Sequence, residues 1–338
     1  LQGGERAVVV PAATDDKTQR LGNQQAQSKV LRVTEYQLIA ERERTDMKRK
    51  NRTVNYNKYG WFFISFAMLA FVVFTLYPML GSLSLALKVL KEGEYVFGGL
   101  TNIKRLLGDR IFHRSIGNTF LFLIVQAPLM LVLALIYANI LNAPKLRFRT
   151  FYRTALFVPC VTSLVAYSVL FKLMFANDGI VNYILMSLNI IGQPIFFLND
   201  PFWARVVIII ALTWRWTGYN MMFYLAALQN IPAETYEAAK VDGAGSIQTF
   251  FKITVPQLKP IILLTMIMTT NGTLQLFDEP MNITGGGPAE MTMTMSQYIY
   301  NTAFVYSPSF GYSVILSYVI VILVAILAFV QFRVTKED

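Results

Sequence analysis

The chain has one cysteine, Cys160, and one histidine, His113, in 338 residues. A single thiol excludes an intrachain disulfide and a cysteine-rich metal site. A single imidazole excludes multi-histidine zinc centres, bis-histidine haem ligation and a histidine triad with a spare base. Both residues are read as packing or loop positions, and no metal site is expected. Charge is scarce as well: Asp, Glu, Lys and Arg make up 15% of the chain, against about 25% in soluble domains. No phosphate loop of the form G-x-x-x-x-G-K-[ST] occurs. The run Gly243–Thr249 (GAGSIQT) is glycine-rich but lacks the lysine, so the chain itself is not expected to hydrolyse ATP. What is abundant is apolar: 54% of residues are hydrophobic and the mean hydropathy is +0.45. This excludes a disordered chain and a disulfide-stapled secreted domain. The formal net charge of +10 sits between long apolar runs, which argues against a soluble nucleic-acid binder. These features point to an integral membrane protein.

A membrane helix needs about 20 mainly apolar residues, and six stretches qualify. They run from about Trp61 to Leu80, Ile116 to Leu141, Ala155 to Phe175, Phe202 to Leu228, Ile261 to Met281 and Tyr312 to Phe332. No alternating ten-residue pattern of a β-barrel is seen. The expected fold is an all-α polytopic membrane protein, with a tail over 1–58 and a transmembrane domain over 59–338. Within the tail, residues 29–50 read equally as an interfacial helix or as a solvated basic segment. No cleavable signal peptide is expected, because the first apolar run starts near residue 60. Lys and Arg cluster before the first span (Arg42 to Lys58) and between the second and third (Lys145, Arg147, Arg149, Arg153). They are missing from 177–201 and 282–311. Both termini are therefore expected in the cytoplasm. Lys88, Lys91, Lys104, Arg105, Arg110 and Arg114 fall in a loop this orientation places outside, against the trend.

The most patterned polar segment is the loop 231–260, between the fourth and fifth spans. Thr235 is expected to cap a helix starting near Tyr236. Gly243 and Gly245 then permit a reversal. A second short helix is expected over Ser246 to Ile253, ended by Pro256 and Pro260. The predicted product is a compact helical knob.

Here the chain resembles the membrane subunits of ATP-binding-cassette importers. Their cytoplasmic signature is Glu-Ala-Ala, three residues, Gly, nine residues, then Ile-x-Leu-Pro. Glu237-Ala238-Ala239, Gly243 and Ile253-Thr254-Val255-Pro256 match that spacing, with Val255 in place of Leu. The flanking sequence, with residues 97–109, 277–292 and 298–304, resembles the sugar-importing branch that includes the larger maltose permease subunit. The likeness covers about Phe97 to Lys336. It implies a type I importer permease fold of six transmembrane helices in the bacterial inner membrane. It also implies a coupling helix on which Glu237, Ala238, Ala239, Asp242 and Gly243 meet an ATPase. The implied partners are a second homologous permease, two ATP-binding subunits carrying ATP and Mg, an extracytoplasmic solute-binding protein, an oligosaccharide and membrane lipid. No cofactor belongs to this chain. The outer loops are too short for the large inserted periplasmic domain of the larger maltose subunit.

A sugar path needs hydrogen-bonding groups and aromatic faces within the bundle. In the fourth span Trp214, Trp216, Tyr219 and Asn220 supply them, and Gly218 is expected to leave room. Asn271, Gly272, Thr273 and Gln275 do so in the fifth. The resemblance implies that these two spans line the substrate cavity. Arg215 lies about 20 Å into its span at 1.5 Å per residue. Two assignments stand: it meets an acidic sugar such as a uronic-acid oligosaccharide, or it bonds backbone carbonyls or a partner subunit. Asp278 and Glu279 are expected near the outer end of the fifth span, at a different depth. A secondary transporter driven by an ion gradient is the alternative function, and it would need a carboxylate relay within the membrane. A membrane-bound enzyme would need a histidine cluster or paired intramembrane carboxylates.

Overall fold

The computed structural model describes residues 57–143 and 146–336. The tail over 1–56 and Lys145, with the readings placed on them, lie outside the described residues. The chain divides into two units, 1–77 and 78–338. The described part of the first is a helix, α1 (Asn57–Phe71), continued by a π-helical turn (Val72–Leu76). Its aromatic side chains, Trp61, Phe62, Phe63, Phe66 and Phe74 among them, are all exposed.

Helix α2 (Tyr77–Ala86) begins at the last residue of the first unit, and the second unit continues with a β-hairpin pairing Lys88–Lys91 with Glu94–Phe97. Helices α3 (Thr101–Gly108), α4 (Arg110–Asn142), α5 (Arg149–Val161), α6 (Leu164–Met174) and α7 (Ile180–Ser187) follow. Next come α8 (Pro201–Leu228), α9 (Ala233–Val241) and α10 (Ser246–Gln257, with a π-helical turn at Phe250–Thr254). The unit closes with α11 (Lys259–Leu274), α12 (Met295–Tyr300) and α13 (Phe310–Lys336).

Three helices among the described residues are long and apolar enough to cross a bilayer: Tyr59–Ala86, Arg110–Asn142 and Phe310–Arg333. Two bent pairs raise the number to as many as five, α5 with α6 (99°) and α10 with α11 (70°). The predicted third span is thus two helices, broken at Thr162–Ser163, where the Ser163 side chain caps α6. The predicted fourth span is the 28-residue α8. It falls outside that set because residues 213–220 place Trp, Arg, Thr and Asn in its middle. The predicted fifth span ends early, at Leu274.

α4 and α8 form the spine. They run parallel: Asn118 meets Arg205 near one end, and Ala134 and Ala138 pack with Met221, Tyr224 and Leu225 toward the other. Ala134, Ala138, Ala204 and Ala211 are wholly buried, the small-residue contact that lets membrane helices approach closely. Gly218 extends this logic to the α8–α5 crossing. A Cβ there would lie 1.8 Å from the Leu156 carbonyl oxygen. α11 joins α8 through Tyr224 and Thr265, whose hydroxyls lie 2.7 Å apart, and α13 through Gln331 on Thr270 at 2.7 Å.

At the α4 N-terminus Asp109 accepts from the amides of Ile111 (2.8 Å) and Phe112 (3.1 Å), capping the helix. It also accepts from the hydroxyls of Tyr298 and Tyr312, and so ties α4 to α12 and α13. Burial alone would raise the Asp109 carboxyl. The four hydrogen bonds outweigh it and hold the group below its ordinary value of 3.8.

Candidate functional site

Between α4, α8 and α11 lies a cavity of about 310 Å³. Its wall includes Gln126 and Met130 from α4, Leu212, Trp216, Tyr219 and Asn220 from α8, and Met268, Thr269, Gly272 and Thr273 from α11. The segment Gln275–Glu279 that follows α11 closes one side. The wall is mixed, with amides, hydroxyls and aromatic faces set among aliphatic groups. Such a surface suits a ligand that is apolar on its ring faces and polar at its rim.

Six of the ten residues predicted for a substrate path line this cavity: Trp216, Tyr219, Asn220, Gly272, Thr273 and Gln275. The other four do not. Trp214 points to α6, its ring 5.5 Å from Phe171 and 6.3 Å from Tyr167. Asn271 is exposed and accepts from Gln275 Nε2 at 2.7 Å. The room at Gly218 is taken by α5, not by the cavity, because a helix crossing needs the missing Cβ there.

Arg215 is buried and faces the break between α5 and α6. The last carbonyls of α5 have no helical partners once the chain bends. Arg215 Nη1 donates to Pro159 O (3.1 Å) and Thr162 O (3.0 Å), and Nη2 to Cys160 O (3.2 Å). Among the described residues its Nε has no hydrogen-bond partner. The guanidinium lies 4.6 Å from the centre of the Tyr167 ring, within cation–π range. Of the two assignments left open, backbone carbonyls are what its donors meet.

Glu279 corrects the depth reading. The Tyr167 whose ring carries Arg215 donates its hydroxyl to Glu279 Oε1 at 2.5 Å. Glu279 is only 3% exposed and lines the cavity. α11 ends early, at Leu274, and Glu279 lies beside the Tyr167–Arg215 pair rather than apart from it. Gln126 was also missed, although a glutamine in the middle of the second apolar run is a legible signal.

The loop beyond Glu279 is clamped against the spine. Arg114 pairs with Glu290 at 3.0 Å, Asn118 Nδ2 donates to Glu290 O (2.8 Å) and Met293 O (2.9 Å), and Arg205 Nε donates to Met291 O at 2.8 Å. In the methionine-rich run, Met293 and Met295 pack into the apolar cluster around Tyr312, as an adaptable filler does.

The predicted knob forms with altered ends. α9 starts at Ala233, with Pro232 at its cap and no side-chain capping bond, so Thr235 is not the cap. α9 ends in a left-handed turn: Gly243 has φ +78°, its amide donates to Lys240 O (3.1 Å), and the Ala244 amide donates to Ala239 O (2.9 Å). Pro256 does not end α10, which runs on to Gln257. Glu237, Ala238, Asp242 and Gly243 are exposed and Ala239 is buried. Beside them Val241 (87%), Ile247 (76%) and Phe251 (65%) present apolar side chains to the outside.

Bilayer-length apolar helices, a mixed-polarity cavity along a helical spine and an exposed helical knob define a membrane transport subunit. Residues 56–336 match the family described as binding-protein-dependent transport system inner membrane component, and the chain belongs to that family. A lactose transport system permease protein of Rhizobium radiobacter is 52% identical over 301 residues, covering 88% of this chain and 99% of that protein. An arabinooligosaccharides transport system permease protein of Halalkalibacterium halodurans is 33% identical, covering 70% and 75%. A crystal structure of a bacterial importer of the acidic polysaccharide alginate superposes with a TM-score of 0.72. It covers 86% of this chain and 99% of that one at 21% identity, a likeness of fold. The family's members are permease subunits, not catalysts.

Proposed function

We propose that this chain forms half of the translocation pathway of an ATP-driven oligosaccharide importer, with the cavity between α4, α8 and α11 as the sugar path. The observation that carries the reading is the pairing of that cavity with an exposed knob bearing the Glu237-Ala238-Ala239…Gly243 spacing. Trp216 and Tyr219 offer ring faces to the sugar. Asn220, Thr273 and Gln275 offer hydrogen bonds, and Gly272 leaves the backbone open. The other four predicted path residues act at a distance, Arg215 by pinning the α5–α6 break and Gly218 by seating α5.

The knob is the coupling helix. Glu237 and Asp242 supply charge to the ATPase, exposed Ala238 allows close approach, buried Ala239 packs the knob against its own chain rather than meeting the ATPase, and the left-handed Gly243 sets the reversal. Val241, Ile247 and Phe251 supply the apolar area that a stable docking surface needs. ATP and Mg act on the ATPase pair, and this chain holds no cofactor. A second permease completes the bundle, and a solute-binding protein delivers the sugar at the opposite end. On this reading α8, α11 and the bent α5–α6 pair join the three bilayer-length helices as six spans, with both termini and the knob in the cytoplasm, an orientation supported by most of the lysines and arginines.

Family membership sets aside transport driven by an ion gradient. Copurification tests the assignment: the wild-type complex retains its ATPase, and Val241→Asp with Ile247→Asp releases it. Retention of the ATPase by that double variant would overturn the docking assignment.

A further inference from the structure

The cavity wall carries charge of one sign. Asp278 and Glu279 are its charged residues, and no Lys, Arg or His is among the described residues that line it. Among the described residues no ion pair reaches either carboxylate. Glu279 is held instead by a neutral donor, the Tyr167 hydroxyl. The guanidinium behind Tyr167 belongs to Arg215, whose Nη atoms are spent on the carbonyls of Pro159, Cys160 and Thr162. Offering Arg215 to a ligand would strip the Cys160 and Thr162 carbonyls of their donor at the α5–α6 break.

From this arrangement we infer that the site selects uncharged sugars and that Glu279 is its specificity-determining residue. The inference rests on the cavity being the sugar path. Glu279 accepts a hydrogen bond from the Tyr167 hydroxyl, and a sugar hydroxyl donates the same kind of bond. A uronate brings its charge to a wall whose charged side chains, Asp278 and Glu279, are both acidic and which offers no cation to pair it. Rejection of the acidic sugar is thereby built into the group that binds the neutral one.

The test uses the assembled importer in lipid nanodiscs, without ATP or solute-binding protein, titrated calorimetrically with lactose and with digalacturonate. Lactose is expected to bind at least about tenfold more tightly than digalacturonate. Glu279→Gln is expected to weaken lactose about tenfold and bring the two sugars within about threefold of each other. Equal binding of both sugars by the wild type, or an unchanged ratio in Glu279→Gln, overturns the inference. If Glu279→Gln does not assemble, Asp278→Asn carries the test and is expected to narrow the ratio in the same direction. Tyr219→Ala reads the sugar path separately. Lactose binding that survives it undiminished removes the path itself, and the selectivity with it. Binding lost in Tyr219→Ala with a ratio unmoved by Glu279→Gln removes the selectivity alone.

Discussion

At the scale of single residues, buried polar groups decide what the bundle does. Arg215 fills the hydrogen-bonding deficit left by a broken helix. Arg215→Met leaves the Cys160 and Thr162 carbonyls short of a donor, while Pro159 O keeps the Thr162 hydroxyl, and the thermal midpoint of the purified complex should fall by an amount equivalent to about 2 kcal/mol or more. Arg215→Lys should restore little of it, because an ammonium lacks the planar fork that reaches three acceptors. Neither substitution should move the ratio of neutral to acidic sugar binding, which separates Arg215 from Glu279. Gly218→Ala forces a methyl group onto the Leu156 carbonyl and should cost about 1–3 kcal/mol, read in the same thermal assay. From sequence alone the depth of Arg215 marked it as significant, yet its partners were not legible. They are backbone carbonyls, which carry no residue signature. Glu279 was misplaced for a related reason: the hydropathy pattern of the fifth span does not say where α11 stops.

At the scale of elements, the junctions carry the behaviour. Asp109 joins the start of α4 to α12 and α13, and its depressed carboxyl makes that junction pH-dependent. The stabilisation is fully present above the ordinary aspartate value of 3.8 and fades as pH falls through the lower folded-state value. Asp109→Asn should therefore lower the thermal midpoint at neutral pH, and the gap to wild type should close in acid. Denaturation scans across that window check the sign. The knob behaves differently, because its surface is exposed. Gly243→Ala meets no neighbour among the described residues and is strained by φ +78°, so a loss of about 1 kcal/mol is expected, with a larger loss of ATPase retention. This element was the most legible in the chain, since glycine, small residues and charge recur there at fixed spacing. Its exact ends were not, because Pro232 and the π-helical turn at Phe250–Thr254 reset the start of α9 and the end of α10.

At the scale of the whole molecule, scarce charge and abundant apolar surface pointed correctly to a membrane chain of long helices. The bends did not emerge from composition: a run that averages as apolar reads the same whether straight or broken at 99°. Nor does α8 resemble an ordinary span, because cavity-lining residues dilute it. That dilution is the cost of setting a cavity of mixed polarity along the spine of the fold. The central claim joins this path to ATP through the knob, and uptake into proteoliposomes tests it most directly. The vesicles hold this chain, its partner permease and the ATPases, with the solute-binding protein and a radiolabelled oligosaccharide that it binds outside. Uptake should require ATP within the vesicle and should fall to background when Val241→Asp and Ile247→Asp break the knob. Uptake that proceeds on an ion gradient without ATP, or that survives the broken knob, would contradict the account.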